Sequence, residues 1–581
     1  MCGICGYIGK NAKENILEKL SLLEYRGYDS CGMAFFENKK IKVVKTTQKI
    51  KHLKQKLEFE DVGNVGIGHT RWATHGEANE VNAHPHISQN NKWSVVHNGI
   101  IENYNELKTK YLTNAKFRSQ TDTEVIPYLL ELDGNNIYSF ISICNLLKGS
   151  FALCAICDSS PNSMYLAKYK SPLYVAQNKE GIICASDTYC FENFENYYEL
   201  KDNEFALCKN DKITFFNKKG EIIKKLPLEN KINKYFSINK KFDYYMEKEI
   251  NEIPFCIENI INHYSKTKIN LNFDINEIDN IKLIGCGSAY HTALIGENYL
   301  KKALNIEVNT YIASEFRYSK NKITPSTLCI FISQSGETAD TIACIELVKN
   351  KCKTLAIVNA ENSRLRYLAD NSLFMYSGKE VAVATTKAFV SGVIILYLLA
   401  KHFENKEFCK VRKNLLRLKT AIKKVIANNF GEDLSYLLKN KQDCFFIGRD
   451  IDYPLQLEAG LKLKEIAYIN CLSIPSGELK HGTLALIDSS SIILCSITQK
   501  RLLDKNMSNI KEIESRCGKV FILTTIKELE KENTFHFDHI NQDLDVLVLV
   551  VAYQLLALKT CLKRGFEPDK PRNLAKSVTV E

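Results

Sequence analysis

The chain has 581 residues, 45% apolar and 25% charged, a composition that excludes a disordered or fibrous protein and leaves room for about three to five folded units. Its formal net charge of +11 comes largely from lysines scattered among asparagines, such as Lys39, Lys40, Lys42 and Lys45. No basic stripe interleaved with aromatics accompanies them, so nucleic acid is not an expected partner, although a mild positive field suits small anions.

The N-terminus lacks the pattern of an export signal. The most apolar stretch, 546–558, is too short to cross a membrane and reads as a buried strand running into a helix. The 20 cysteines are therefore expected as free thiols of a cytosolic protein.

In chain order, residues up to 225 mix short strand patterns (41–45, 65–69, 93–97, 151–158) with helix candidates at 12–23 and 123–132, which predicts sheets covered by helices. A polar stretch at 226–240 reads as a linker and 243–264 as helical. Strand, loop and helix then alternate: strands at 281–285, 327–332 and 354–358, helices at 289–303 and up to Lys349. After a long helical span the alternation resumes, with strands at 444–448, 491–497 and 519–524 and a helix at 453–466. This predicts parallel sheets with helices on both faces. Ile284-Gly285 before Tyr290 and Ile447-Gly448 before Tyr453 repeat at one offset, so two similar α/β units are expected, at 274–410 and 434–570, followed by a tail at 571–581.

Cys2 directly follows Met1. Removal of Met1 would leave the Cys2 α-amine, which titrates near about 7.7–8.0, beside its own thiol, so that one residue supplies nucleophile and base. A zinc site built from Cys2/Cys5 and Cys154/Cys157 is disfavoured, because residues three apart on a strand point to opposite faces. No metal is expected.

Five ordered motifs accompany Cys2: Glu-Tyr-Arg-Gly-Tyr-Asp-Ser at 24–30, His-Thr-Arg-Trp-Ala-Thr-His-Gly-Glu at 69–77, Asn-Ala-His-Pro-His at 82–86, Val-His-Asn-Gly-Ile-Ile-Glu at 96–102 and Ser-Gln-Thr-Asp-Thr-Glu at 119–124. Together they resemble the class II (N-terminal nucleophile) glutamine amidotransferases. The resemblance implies an αββα glutaminase domain over 2–225 with Cys2 as nucleophile. The Asn98 amide and the Gly99 N–H would form the oxyanion hole. Arg71 would grip the glutamine α-carboxylate and Asp122 its α-ammonium. Trp72, Thr74, His75 and Gly76 would close over glutamine and gate ammonia, with His84 nearby. Arg26 and Asp29 read as a structural polar network, and Cys5 stands where an aliphatic residue is usual.

The α/β units carry hydroxyl-rich turns at strand ends. Ser-Gln-Ser-Gly-Glu-Thr-Ala-Asp-Thr at 333–341 opens a helix, the setting of a phosphate site, and Cys-Gly-Ser-Ala-Tyr at 286–290 is a second such turn. A dinucleotide site is a weaker reading, since Tyr290 replaces the third glycine of that fingerprint. This half resembles paired sugar-isomerase (SIS) domains with flavodoxin-like parallel sheets. The chain as a whole resembles the isomerizing glutamine–fructose-6-phosphate aminotransferase family, through the motifs at 313–317, 333–341, 384–389, 461–466, 477–482 and the tail.

That resemblance implies that Ser333, Gln334, Ser335 and Thr338 bind a sugar phosphate, supported by Ser288, with Thr385 at a sugar-binding position. Lys576 would form a Schiff base with the C2 ketone, Glu465 would move the proton between C1 and C2, and His481 would assist ring opening. Lys462 and Glu458 would orient the sugar, and the spacing of Glu458, Lys462 and Glu465 puts all three on one helix face. Ala289 replaces a hydroxyl residue and Thr483 a proline of the family pattern.

The implied substrates are L-glutamine and D-fructose 6-phosphate, with ammonia channelled between the halves, no cofactor, and a homodimer with neither nucleic-acid nor membrane partners. Two rivals are an amidotransferase with another acceptor, such as phosphoribosyl pyrophosphate, and a non-catalytic sugar-phosphate sensor. The paired α/β units and the terminal lysine oppose the first. Cys2, Arg71 and Asp122 together oppose the second.

Overall fold

The computed structural model describes residues 2–60, 62–72, 76–230, 242–361 and 363–578. They fall into two compact units, one of residues 1–237 with 577–580 and one of 238–576. Thr74, His75 and most of the expected linker lie outside the described residues. The linker's first residues do not: Leu228–Glu229 pairs with Asn196–Tyr197 at the edge of a sheet.

The N-terminal unit is a sandwich of two antiparallel sheets. One has eight strands in the order Leu228–Glu229, Asn196–Glu199, Tyr174–Gln177, Gly181–Ala185, Gly3–Gly9, Val65–Arg71, Ser30–Glu37, Lys40–Thr46. The other has seven: Ile222–Ile223, Lys212–Phe216, Glu204–Lys209, Ser163–Tyr169, Gly149–Cys157, Trp93–Ile101, His86–Ile87. Ile4, Ile67, Val96, Cys154 and Leu166 fill the space between the sheets. Helix Ala12–Leu23 covers the outside of the first sheet through Ile16 and Leu20. Helices Val125–Asp133 and Ile137–Leu146 cover the second through Leu129 and Phe140. The layers are therefore αββα, as expected. Alternating strand residues face the shared core and the helices, so central strands such as Gly3–Gly9 and Gly149–Cys157 are buried on both sides.

The second unit contains two five-stranded parallel sheets. In the first the order is Glu307–Ile312, Asn280–Gly285, Thr327–Ser333, Lys353–Val358, Asn371–Phe374. In the second it is Asn470–Pro475, Asp443–Gly448, Ile492–Ile497, Lys519–Thr524, Thr534–His536. Both read 2-1-3-4-5 in chain order, the flavodoxin-like arrangement whose ligands sit at the carboxyl ends of the strands. One hydrophobic core runs through both halves, from Met246 on helix Tyr245–Lys266 to Cys561.

The strand expected within 546–558 does not form. The run at 546–558 contains no strand and lies wholly within the helix Asp545–Lys563. That helix is apolar on every face because it is buried on every face, and periodicity cannot separate such a helix from a buried strand. It is long and apolar enough to cross a membrane, but 94% of the stretch is buried inside the fold, which makes it a core helix.

Candidate active site

In the N-terminal unit the strand register brings Cys2 to Trp72. Gly3 pairs with Thr70 across adjacent antiparallel strands, so the residues just beyond that pair leave the sheet together. The Trp72 N–H donates to the Cys2 Sγ at 3.2 Å. Burial pushes the Cys2 thiol above its ordinary value, while the Trp72 N–H and the Arg71 charge oppose that shift.

Asn98 comes from the other sheet, on strand Trp93–Ile101. Its Nδ2 donates to the Cys2 carbonyl at 2.8 Å, and its Oδ1 lies 3.1 Å from His69 Nε2. Gly99 has φ +137°, and a Cβ there would lie 2.0 Å from the Ser150 carbonyl oxygen, so only glycine fits beside Asn98.

Arg71 is buried and donates to the Gly76 carbonyl at 3.3 Å and the Glu77 carbonyl at 3.2 Å. Burial lowers its pKa, and Cys2, Asp29 and Asp122 act in the opposite direction. Asp122 accepts from the Ile101 N–H at 2.7 Å. Its segment is held on both sides, by His86 at 3.1 Å from the Thr121 hydroxyl and by His97 at 2.8 Å from that of Thr123. Trp72 meets Tyr28 edge to face at 5.6 Å. Arg26 bonds Asp187 at 3.0 Å, and the Asp29 N–H donates to the Arg71 carbonyl at 3.0 Å.

A second group of side chains lies within the second unit. Helix Asp452–Ala467 carries Glu458, Lys462 and Glu465. Lys462 Nζ lies 3.2 Å from Glu458, 2.7 Å from Glu465 and 3.2 Å from the Ser288 hydroxyl. Glu458 also accepts from Ser288 at 3.0 Å and lies 2.8 Å from His291 Nδ1. Burial pushes the Glu465 carboxyl above its ordinary value, although Lys462 opposes it. Burial opposes charge on Lys462 too, but the two carboxylates win and hold it as the ammonium.

The turn after strand Thr327–Ser333 places Thr338 at the N-cap of helix Ala339–Val348. The Ser333 and Thr338 hydroxyls are 3.1 Å apart, and Ser333 also accepts from the Gly336 N–H at 3.0 Å. Gln334 offers its carbonyl to the Asn359 N–H at 3.1 Å, and the Ser335 hydroxyl accepts from the Glu337 N–H at 3.2 Å. Gly336 has φ +66°, and a Cβ there would lie 2.2 Å from the Ser363 Oγ, so the turn closes only around glycine.

The tail is anchored before it delivers Lys576. Asp569 accepts from the N–H groups of Tyr245 and Met246, at 2.7 and 2.8 Å, and so caps helix Tyr245–Lys266. The Arg572 N–H donates to the Tyr468 hydroxyl at 2.8 Å. Lys576 Nζ then pairs with buried Glu380 and lies 3.4 Å from the Thr385 hydroxyl. Glu380 in turn accepts from the N–H groups of Thr386 and Ala388, at 2.9 and 3.0 Å, where helix Lys387–Phe403 begins. Neighbouring Glu249 is pushed up to about 8 by burial and by the Glu380 charge. His481 stands apart: it is exposed at the end of the short helix Ser476–His481.

A family model described as glutamine amidotransferase domain matches residues 31–207, and one described as SIS domain matches 274–402. A glutamine–fructose-6-phosphate aminotransferase (isomerizing) of Clostridium tetani is 38% identical over 609 residues, covering 100% of both chains. The protein of that name from Staphylococcus aureus strain Mu50 is 38% identical over 602 residues, again covering 100% of both. The chain belongs to the isomerizing glutamine–fructose-6-phosphate aminotransferase family. A solved structure, the C-terminal domain of the Francisella tularensis glucosamine-fructose-6-phosphate aminotransferase, aligns with a TM-score of 0.55 at 28% identity, covering 58% of this chain and 100% of that one.

Four charged or polar partners had no role legible in the sequence: His69, Glu249, His291 and Glu380. His69 opens the motif at 69–77. Glu380 is an isolated acid just before a run of small residues, and its relation to Lys576 spans 196 positions. Local patterns carry no trace of such a pair.

Proposed function

We propose that the protein converts L-glutamine and D-fructose 6-phosphate into L-glutamate and D-glucosamine 6-phosphate. The Cys2 thiolate attacks the glutamine γ-carbonyl, and the Asn98 amide and Gly99 N–H stabilise the tetrahedral oxygen. Ammonia leaves, and water hydrolyses the thioester to glutamate. Arg71 and Asp122 hold the two charged ends of the amino acid. Trp72 and the loop through Gly76 close over it.

In the second unit Ser288, Ser333, Gln334, Ser335, Thr338 and Thr385 hold the sugar phosphate. Lys576 passes its proton to a carboxylate and condenses with the C2 ketone, releasing water. Ammonia delivered from the glutaminase unit displaces the lysine. Glu465 then carries a proton from C1 to C2, which turns the ketose imine into the amino aldose. Lys462 and Glu458 orient the sugar, and His481 assists ring opening. Thiol, amine and carboxylates cover each step, so no metal or redox cofactor is called for. A cytosolic homodimer belongs to the same reading.

The observation that carries it is the pairing of Cys2 with the Asn98 amide at 2.8 Å in a chain with full-length family similarity. Cys2→Ala tests it. Glutamine-dependent amination should disappear while fructose 6-phosphate still binds, as read by product analysis and by equilibrium binding of the sugar. Retained glutamine-dependent synthesis would sink the assignment.

A further inference from the structure

We propose that His69 is a positioning residue that fixes the direction of the Asn98 side-chain amide. The proposal rests on the reading of Asn98 as the donor to the tetrahedral oxygen. A primary amide can lie either way round, and rotation by half a turn would aim oxygen rather than N–H2 at the reacting carbonyl. Something must forbid that rotation.

His69 sits on strand Val65–Arg71 of the eight-stranded sheet, between Ile4 and Gly32 on its two neighbours. Its ring crosses to the other sheet, where Nε2 lies 3.0 Å from the His97 carbonyl oxygen and 3.1 Å from Asn98 Oδ1. A backbone carbonyl only accepts. Nε2 must therefore carry the proton, and the same N–H faces the Asn98 amide. That amide end has to be oxygen, which leaves Nδ2 pointing at Cys2, 2.8 Å from its carbonyl.

The surroundings allow one tautomer. His69 is fully buried, and burial holds it neutral by lowering its pKa to about 3. A neutral ring has one N–H, so Nδ1 is bare; it is buried with no hydrogen-bond partner among the described residues. The ring face stacks on His84, with centroids 4.2 Å apart and planes 16° from parallel. His84 in turn meets His86 at 4.6 Å. Both are buried and held neutral, so the ring proposed to orient Asn98 is stacked on an uncharged neighbour.

The test uses the full-length enzyme. His69→Phe keeps a ring and deletes the N–H, whereas His69→Gln returns an N–H2 near the Nε2 position. For His69→Phe, kcat for glutamine hydrolysis should fall about ten-fold or more, below the roughly 10²–10³ expected for losing a donor outright in Asn98→Ala. KM for glutamine should move less than about two-fold, and His69→Gln should recover most of the rate. A γ-aldehyde analogue of glutamine forms a tetrahedral adduct with Cys2. Its affinity should fall in step with kcat, while that of glutamate should not. Adding His69→Phe to Asn98→Ala should cost little more, because both act on one donor.

Full activity in His69→Phe beside a crippled Asn98→Ala overturns the His69 assignment and leaves the Cys2 reading standing. Full activity in Asn98→Ala overturns the donor reading, and this proposal with it. A measurement on the unmutated protein keeps the proposal open to refutation even where the phenylalanine variant does not fold. Nitrogen NMR of labelled histidines, assigned by the signal lost in His69→Gln, should show protonated Nε2 and bare Nδ1. A protonated Nδ1 on His69 overturns it.

Discussion

The two α/β halves of the second unit share one strand order and differ at one turn. After the third strand of the first half, Ser333 and Thr338 bond each other and the turn's own backbone. At the matching place in the second half, Thr498 gives both its N–H and its hydroxyl to the carboxylate of Asp452, at 2.9 and 2.6 Å. At the next strand end the Thr525 hydroxyl goes to buried Asp545 at 2.8 Å. A carboxylate seated among the donors of a strand-end turn repels a second anion. The second half has filled with its own side chains the place that the first half keeps as a hydroxyl-lined turn.

What the second half contributes is a helix. Asp452–Ala467 presents Glu458 and Lys462 to Ser288 and His291 on the first helix of its twin. On the proposed function, one copy of the scaffold would serve for binding and the other for proton chemistry. The largest test of this division is Lys462→Met. It strands Glu458, whose side chain is 1% exposed, without its cation. Breaking a buried pair costs about 3–5 kcal/mol, and urea unfolding should show a loss of that size. Amino-sugar synthesis should vanish while Cys2, in the other unit, still hydrolyses glutamine. Persistent synthesis would break the comparison at its centre.

A medium-sized test sets the matching turns against each other. Ser333→Ala removes a hydroxyl proposed to meet a charged phosphate, and KM for fructose 6-phosphate should rise about ten-fold, the worth of such a hydrogen bond. Thr498→Ala should leave that KM alone and instead lower stability by about 1–3 kcal/mol, because Asp452 loses a buried donor. Equal rises in KM would mean that both turns bind sugar and that the halves do not differ as argued.

How much of this was legible in the sequence follows from the range of each interaction. Sheets covered by helices and the parallel-sheet units could be read because their periods are local, whereas the αββα layering came from the family resemblance; strand Lys519–Thr524 and helix Ala12–Leu23 fall where alternation and amphipathicity predict. The Glu458–Lys462–Glu465 face was legible for the same reason. Helix Asp545–Lys563 was not, because a segment buried all round has no period to read. The contrast between Ser333 and Thr498 was equally hidden. Both turns begin with a hydroxyl residue and a glutamine, and only the folded chain brings Asp452 back to Thr498 across 46 positions. His69, Glu249 and Glu380 were missed likewise, since each acts through a partner on another element.

The smallest test concerns Asp452 itself. Burial pushes its pKa from 3.8 up to about 7, with the two Thr498 bonds opposing the rise. Because the folded value lies above the unfolded one, the folded state binds the extra proton. Stability from this group therefore falls as pH rises from about 4, and the loss is complete a little above pH 7. Between pH 6 and pH 8 the wild type should lose about 1 kcal/mol through this group alone. Asp452→Asn removes the titration, so the difference between the two stability curves should carry that slope whatever other groups titrate. A difference that is flat across this range, or that rises with pH, would mean that Asp452 is charged in the folded protein throughout. The second half would then hold a permanent internal anion, a sharper form of the contrast with its twin, in which the strand-end turn is closed to phosphate at every pH rather than only above neutrality.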